Sequence, residues 1–222
     1  MAIIGLALYG SRARGDAADD ADVDLLAITS DTRPVNTVRG NLTMSCYPLD
    51  DMIRGSRNGD LFALHIASEA KVLYDDGGVF QKITAAFKYR DDYDREIKLV
   101  SDVGWFLVRN SHRFSDHARF NQKLSWCTRT ILIARAANQR RPLFSAAALA
   151  EFSGSPDVVT LISSKMRSAV DVGIVDAFAR FLRTFGAAAP PVPETLEEQE
   201  RLFEADRNVA GLRVIRAVMK SS

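Results

Sequence analysis

Cysteine is nearly absent, with Cys46 and Cys127 the only two in 222 residues. They lie far apart in unlike segments. That excludes a disulfide scaffold and a cysteine-based metal site, and two reduced, buried thiols are expected. No apolar run approaches the ~20 residues that span a bilayer. The apolar start, Met1 to Tyr9, has no basic leader ahead of it, so a cytoplasmic chain without a membrane partner is expected. Neither sign of charge is in excess, at 29 basic against 28 acidic residues. This removes the electrostatic footprint of non-specific nucleic-acid binding and leaves only a local basic patch open. What is plentiful is apolar surface: 47% of the residues are hydrophobic, enough to bury a substantial core in one large domain or two small ones.

The order of patterns divides the chain in two. Ile3 to Tyr9 reads as a short buried strand, and Gly10 to Asp20 as a loop. Ala21 to Thr29 reads as a second strand. Ser30-Asp31-Thr32-Arg33-Pro34 is turn chemistry. Leu42 to Tyr47 alternates as a half-buried third strand, and Pro48 opens a short helix through Ile53. A helix over Leu61 to Glu69 and a strand over Lys71 to Tyr74 follow, and Asp75-Asp76-Gly77-Gly78 closes an α/β unit. Beyond Gly78 the period becomes helical. Asp94 to about Ser115 carries Ile97, Val100, Val103 and Leu107 at helical spacing. Arg119 to Asn138 carries Leu124, Cys127, Ile131 and Leu132. Ser145 is a predicted N-cap for Ala146 to Phe152. Helices near Asp157 to Met166 and Val170 to Phe185 precede a stiff connector, Ala187 to Pro193. One terminal helix, Thr195 to Met219, opens on a Thr195-x-x-Glu198 capping box.

Chemistry concentrates between the first two strands. Gly10-Ser11 ends one strand, and Gly15 lies in the loop after it. Glycines let a backbone approach a phosphate closely and turn N–H groups towards it, while the Ser11 hydroxyl adds a donor. Asp22 and Asp24 are two apart, so on an extended chain both carboxylates leave one face while Val23 points the other way. Two like charges side by side are unfavourable unless a cation joins them. Mg²⁺ is typically held by one or two carboxylates together with substrate phosphates. The stretch Asp19-Asp20-Ala21-Asp22 alone would read as a solvated loop. Asp24, inside the apolar run Val23 to Ile28, does not fit that reading.

Leu8-Tyr9-Gly10-Ser11-Arg12-Ala13-Arg14-Gly15-Asp16, followed by Asp22-Val23-Asp24-Leu25-Leu26, closely resembles the signature of DNA polymerase β superfamily nucleotidyltransferases. The likeness is greatest to small bacterial members of the kanamycin nucleotidyltransferase type. It implies an α+β chain: a nucleotidyltransferase domain with a small mixed sheet over residues 1–78, then an all-helical bundle over 79–222 that binds substrate or partner. It further implies that Gly10, Ser11 and Gly15 hold the phosphates of an NTP, ATP foremost, with Arg12 contacting phosphate. Asp22 and Asp24 would be the catalytic carboxylates and the ligands of Mg²⁺ or Mn²⁺. Relatives commonly place a third carboxylate on a later strand. Here Leu42 to Tyr47 offers Thr43 and Ser45 instead, so a water, Asp50, Asp51 or the substrate is left as base.

The helical half resembles the family's C-terminal domain more loosely, at Lys123-Leu-Ser-Trp126-Cys-Thr-Arg129. Lys123 and Trp126 share one helix face. The resemblance implies a triphosphate contact for Lys123, against the plainer reading of a surface lysine beside a packing Trp. His112 and His117 sit at a polar helix end and read as solvated or capping residues. The expected activity is transfer of a nucleoside monophosphate to an acceptor hydroxyl with pyrophosphate release. Relatives use small molecules such as aminoglycosides, tRNA ends and protein hydroxyls, and the near-neutral charge disfavours tRNA. The alternative is a degenerate transferase acting as a regulatory or antitoxin-like binding module. A homodimer or a protein partner is compatible with both.

Overall fold

The structure, a computed structural model, describes residues 2–17, 19, 21–30 and 34–220. Asp20 and most of the turn expected over 30–34 lie outside the described residues. The chain divides into two compact units, Met1–Asp91 and Asp92–Ser222.

The first unit runs β1 (Ile3–Tyr9), α1 (Ser11–Arg14), β2 (Val23–Thr29), β3 (Val35–Arg39), β4 (Leu42–Pro48), α2 (Leu49–Arg57), α3 (Leu61–Glu69), β5 (Lys71–Asp75) and α4 (Val79–Ala86). The strands form one sheet in the order β3-β4-β2-β1-β5. β2 runs antiparallel to β1 and parallel to β4, so the sheet is mixed. Ala7, Leu26 and Ile28 share one face, and Met52, Ile66, Phe80 and Ile83 from the helices pack on it. Each fully buried aliphatic or aromatic side chain of this kind contributes roughly 1.5–3 kcal/mol. The register sets Tyr9, Asp24 and Thr43 side by side across three strands, with Ala7, Leu26 and Ser45 in the next row. Because side chains alternate, both rows lie on the helix-covered face.

Three elements were not expected. α1 is a single turn where a loop was read. β3 pairs with β4 through the tight turn after Arg39, which faces Leu42. α4 follows Gly78 at once and packs in the first unit. Pro48 ends β4 and precedes α2 rather than opening it.

The second unit is helical: α5 (Asp94–Arg109), α6 (His117–Asn138), α7 (Ala146–Ser153), α8 (Asp157–Ser163), α9 (Val172–Phe185), α10 (Leu196–Ala205) and α11 (Val209–Met219). Phe120, Leu124, Cys127, Ile131 and Leu132 make α6 the buried centre. α5 stops at Arg109, short of Ser115, because the Asn110 side chain donates to the Phe106 carbonyl (3.0 Å) and a 3₁₀ turn over Ser111–Arg113 follows. Ser145 caps α7, accepting from the Ala148 N–H at 3.1 Å. Thr195 Oγ1 accepts from the Glu198 N–H (3.1 Å) while Glu198 Oε2 accepts from the Glu194 N–H (2.8 Å), a capping-box arrangement.

The terminal helix read as continuous is broken in two. Arg207 takes a left-handed conformation at φ 54°. The Asn208 N–H closes on the Phe203 carbonyl at 2.7 Å. Its side-chain oxygen then caps α11 through the Gly211 N–H (2.9 Å), and its amide nitrogen donates to the Leu99 carbonyl (2.7 Å). α11 thus turns back on α10 and α5.

Both cysteines are buried, and neither is in a disulfide. Burial pushes the Cys127 thiol well up, which removes the thiolate that reactivity needs. Among the described residues no helix is long and apolar enough to cross a membrane.

Candidate active site

The site begins where β1 turns into α1. Gly10 lies at φ 76°, ψ −158°, a region essentially confined to glycine. A Cβ there would stand 2.7 Å from Oδ2 of Asp24, so the bare α-carbon is what admits the carboxylate. The Arg14 N–H bonds the Gly10 carbonyl (3.1 Å), and the N–H groups of Gly15 and Asp16 bond the Ser11 carbonyl at 2.9 and 3.1 Å. Gly15, at φ 85°, ends the turn. The N–H groups of Ser11 and Arg12 precede the first of these bonds, as in the opening turn of any helix. They stand beside the Ser11 hydroxyl.

Asp24 is fixed by strands on both sides, opposite Tyr9 on β1 and Thr43 on β4. Asp22 lies one residue ahead of β2 and is exposed. The loop before it is tied down by Arg12, whose guanidinium donates to the carbonyl of Asp19 (3.1 Å) and twice to that of Ala21 (3.1 and 2.8 Å). The Val23 N–H donates to the Asn41 carbonyl at 2.7 Å and anchors the start of β2.

A polar network that sequence reading missed holds the turn from the other side. Glu69 Oε2 on α3 accepts from Arg14 Nη1 (2.7 Å) and pairs with His65 Nε2 (2.9 Å), while Arg14 Nε reaches Asp16 at 3.1 Å. The rings of Phe62 and His65 meet Tyr9 edge-on, with centroids 5.6 and 5.5 Å away. The Tyr9 hydroxyl lies 3.4 Å from Ser45 Oγ. Burial, with the Asp24 carboxylate adding to it, pushes the Tyr9 phenol up despite the Ser45 contact.

Burial alone would raise Glu69, but its hydrogen bonds to His65 and Arg14 outweigh this and hold the carboxyl below its ordinary range. A depressed carboxylate stabilises the fold above its unfolded-state pKa, and that contribution is lost as pH falls through the folded-state value. Glu69→Gln is therefore expected to lower stability at neutral pH and to lose much of that penalty in acid. Urea unfolding of both proteins at neutral pH and below the carboxylate range checks this; a penalty constant with pH would contradict it.

No acid stands on β4 beside Asp24. Thr43 occupies the register position, and Ser45 is joined to Tyr9. Asp50 and Asp51, left as base candidates by the sequence, are corrected by the register. They follow Pro48, which aligns with Thr29 at the far end of β2. The five residue steps from Thr43 to Pro48 alone span ~16 Å of strand. Asp51 is also paired with Arg54. Among the described residues no group of three or more His, Cys, Asp or Glu is placed to hold a metal. Two carboxylates such as those read from the sequence, Asp22 and Asp24, would suit Mg²⁺ or Mn²⁺ only in the manner of sites completed by phosphate oxygens and water.

Lys123 belongs to the second unit. Its Nζ lies 5.0 Å from the centre of the Trp126 ring, so the pair read from spacing meets as a cation–π contact. Burial, with Arg119 and Arg213 adding to it, pushes its ammonium down. With Arg113 and Arg119 it lines a cavity of about 50 Å³ within that unit. His112 lies on the 3₁₀ turn, and His117 opens α6 after the Asp116 cap.

Residues 2–104 match the family model described as "Nucleotidyltransferase domain". No curated protein matches the chain. Among solved structures, a nucleotidyltransferase-like protein from Exiguobacterium sibiricum 255-15 matches at 14% identity and a TM-score of 0.34, over 95% of this chain and 83% of that one. A superposition that loose adds nothing to the fold described above.

Proposed function

We propose that the chain, whose residues 2–104 match the nucleotidyltransferase domain family of the polymerase β-like superfamily, transfers a nucleoside monophosphate from an NTP, ATP foremost, to an acceptor hydroxyl. The observation that carries this is the approach of Asp24 Oδ2 to the bare α-carbon of Gly10. A glycine turn able to hold phosphate and a carboxylate able to hold a cation meet at one point.

The Ser11 hydroxyl and the N–H groups of Ser11 and Arg12 take the β- and γ-phosphate oxygens. Gly15 lets the turn close around them, and Arg12 holds the loop that delivers Asp22. Asp22 and Asp24 would hold Mg²⁺ or Mn²⁺, which when bound would supply charge neutralisation and Lewis-acid activation at the α-phosphorus. Asp24 is locked between two strands, so it is in place before substrate arrives and costs no reorganisation in the transition state. The acceptor oxygen forms a bond to the α-phosphorus while the bond to the bridging oxygen breaks and pyrophosphate leaves. With Thr43 beside Asp24, the acceptor proton passes to water. The acceptor is a small molecule or a protein hydroxyl; a near-neutral chain favours these over tRNA. A cytoplasmic location fits a reaction that consumes NTP.

The same Thr43 supports a second reading, a transferase-fold regulatory module that binds nucleotide without turnover. Calorimetric titration of ATP with and without Mg²⁺, followed by pyrophosphate release with candidate hydroxyl acceptors, separates the two. Metal-dependent binding with pyrophosphate formed in step with acceptor modification supports transfer. Metal-dependent binding with no release across the acceptors supports the module. Absence of nucleotide binding sinks both.

A further inference from the structure

The second unit contains a cleft that shares no residue with the candidate nucleotidyl site. Ala187 to Pro193 crosses the unit as a strap. Three prolines remove N–H donors from it, and its carbonyls are held from below. Trp105 Nε1 donates to Ala187 O (3.2 Å), and Arg109 donates to Pro190 O (2.5 Å) and Pro191 O (3.3 Å). The Ala187 N–H donates to Ser101 Oγ at 2.9 Å. Cavities of about 600 and 510 Å³ flank the strap, and Val192, Pro193 and Gln199 line both. Either is within the size of small-molecule sites, ~300–1,000 Å³.

Two features of this cleft ask for a ligand. Gln199 on α10 is only 7% exposed, yet its side-chain amide has no hydrogen-bond partner among the described residues. That side chain lines both cavities. The larger cavity has apolar walls in the strap, Leu202 and Phe203, and its charged lining is Asp102, Glu198 and Asp206 against Lys98 alone. Lys98 Nζ bridges Asp102 (2.8 Å) and Asp206 (2.6 Å), so one ammonium serves two carboxylates. Glu198 already accepts from the Glu194 N–H. The Asp102 side chain is 9% exposed.

We propose that the cleft beneath the Ala187–Pro193 strap binds an amphipathic organic cation. Its apolar body lies against Leu202 and Phe203, its protonated amine meets Asp102 and Asp206, and a polar group pairs with Gln199. Charge complementarity selects the occupant: an anion would meet three carboxylates, and a neutral molecule would leave the second carboxylate sharing Lys98. This inference does not depend on nucleotidyl transfer by the first unit.

Three size-matched indoles test it on the full chain: tryptamine as cation, tryptophol as neutral alcohol and indole-3-propionate as anion. Amide NMR shifts are followed as each is titrated to millimolar concentration. Tryptamine is expected to saturate, with shifts centred on Asp102, Gln199 and Leu202, and to bind about tenfold more tightly than tryptophol. Gln199→Leu and Asp206→Asn should each weaken tryptamine severalfold. Lys98→Met should strengthen it about tenfold by removing the resident cation, an effect opposite to that of simple destabilisation. The proposal is overturned by equal binding of tryptamine and tryptophol, by no saturation with any of the three, or by weaker binding in Lys98→Met.

Discussion

Asp24→Ala is expected to lower kcat/KM for nucleotidyl transfer by at least ~10³-fold, about 4 kcal/mol of transition-state stabilisation, while the protein stays folded. Asp24 is half-buried between Tyr9 and Thr43 in a continuous pairing register. Alanine keeps every backbone bond of that register. What is lost is one of two carboxylates able to hold a cation against the triphosphate, so the damage falls on chemistry. Asp22→Ala should fall by a similar factor with even less effect on folding, because Asp22 is exposed and precedes β2. The checks are steady-state rates, calorimetric ATP binding with Mg²⁺ and a thermal melt of each variant. The Tyr9 phenol offers an internal control. Burial raises it first and the Asp24 charge raises it further, so ultraviolet titration should find it lower in Asp24→Ala. Turnover within tenfold of the parent would remove Asp24 from the reacting centre. Unfolding of the variant would make its role structural.

What the sequence revealed of this site follows from what local patterns encode. Asp24 could be set inside a strand because the apolar run from Val23 to Ile28 announces one. α5 and α6 were legible because Ile97, Val100, Val103 and Leu107, and likewise Leu124, Cys127 and Ile131, recur at helical spacing. Two of the elements that were not expected carry no such signature. β3 is exposed along its whole length, so no buried face imprints its five residues; a Gly40-Asn41 turn was the available clue. α1 is too short for any period. α4 did carry a stripe, Val79, Phe80 and Ile83, just past Gly78.

The rest depends on contacts distant in sequence. Nothing local joins Arg14 to Glu69, although that pair holds the turn. The break at Asp206 to Asn208 contains no glycine or proline, and rests on Arg207 accepting a left-handed φ and Asn208 bonding three ways. Asp50 and Asp51 looked close to the missing acid along the chain; only the parallel register of β2 and β4 placed them at the wrong end.

Gly10→Ala combines two penalties that can be measured apart. At φ 76° and ψ −158° a residue with a Cβ is strained by about 1–3 kcal/mol. The new methyl would in addition lie 2.7 Å from Asp24 Oδ2, so the carboxylate or the turn must shift. The expected result is destabilisation by ~2 kcal/mol or more, the sum of strain and displacement, with transfer reduced at least as far as in Asp24→Ala. A double-mutant cycle separates the causes. In an Asp24→Ala background the carboxylate is gone and only the backbone strain remains, so Gly10→Ala should cost measurably less there than in the parent. Gly15→Ala is the matched control: its φ is 85°, but a Cβ there meets nothing within 4 Å. It should cost about 1–2 kcal/mol of strain alone, equally in both backgrounds. Denaturant unfolding of the six proteins decides the matter. Coupling for Gly10 and none for Gly15 would locate the Asp24 carboxylate against the turn in solution. Equal costs for Gly10→Ala in both backgrounds would mean that turn and carboxylate do not meet, and the proposed phosphate-and-metal site would lose its defining contact.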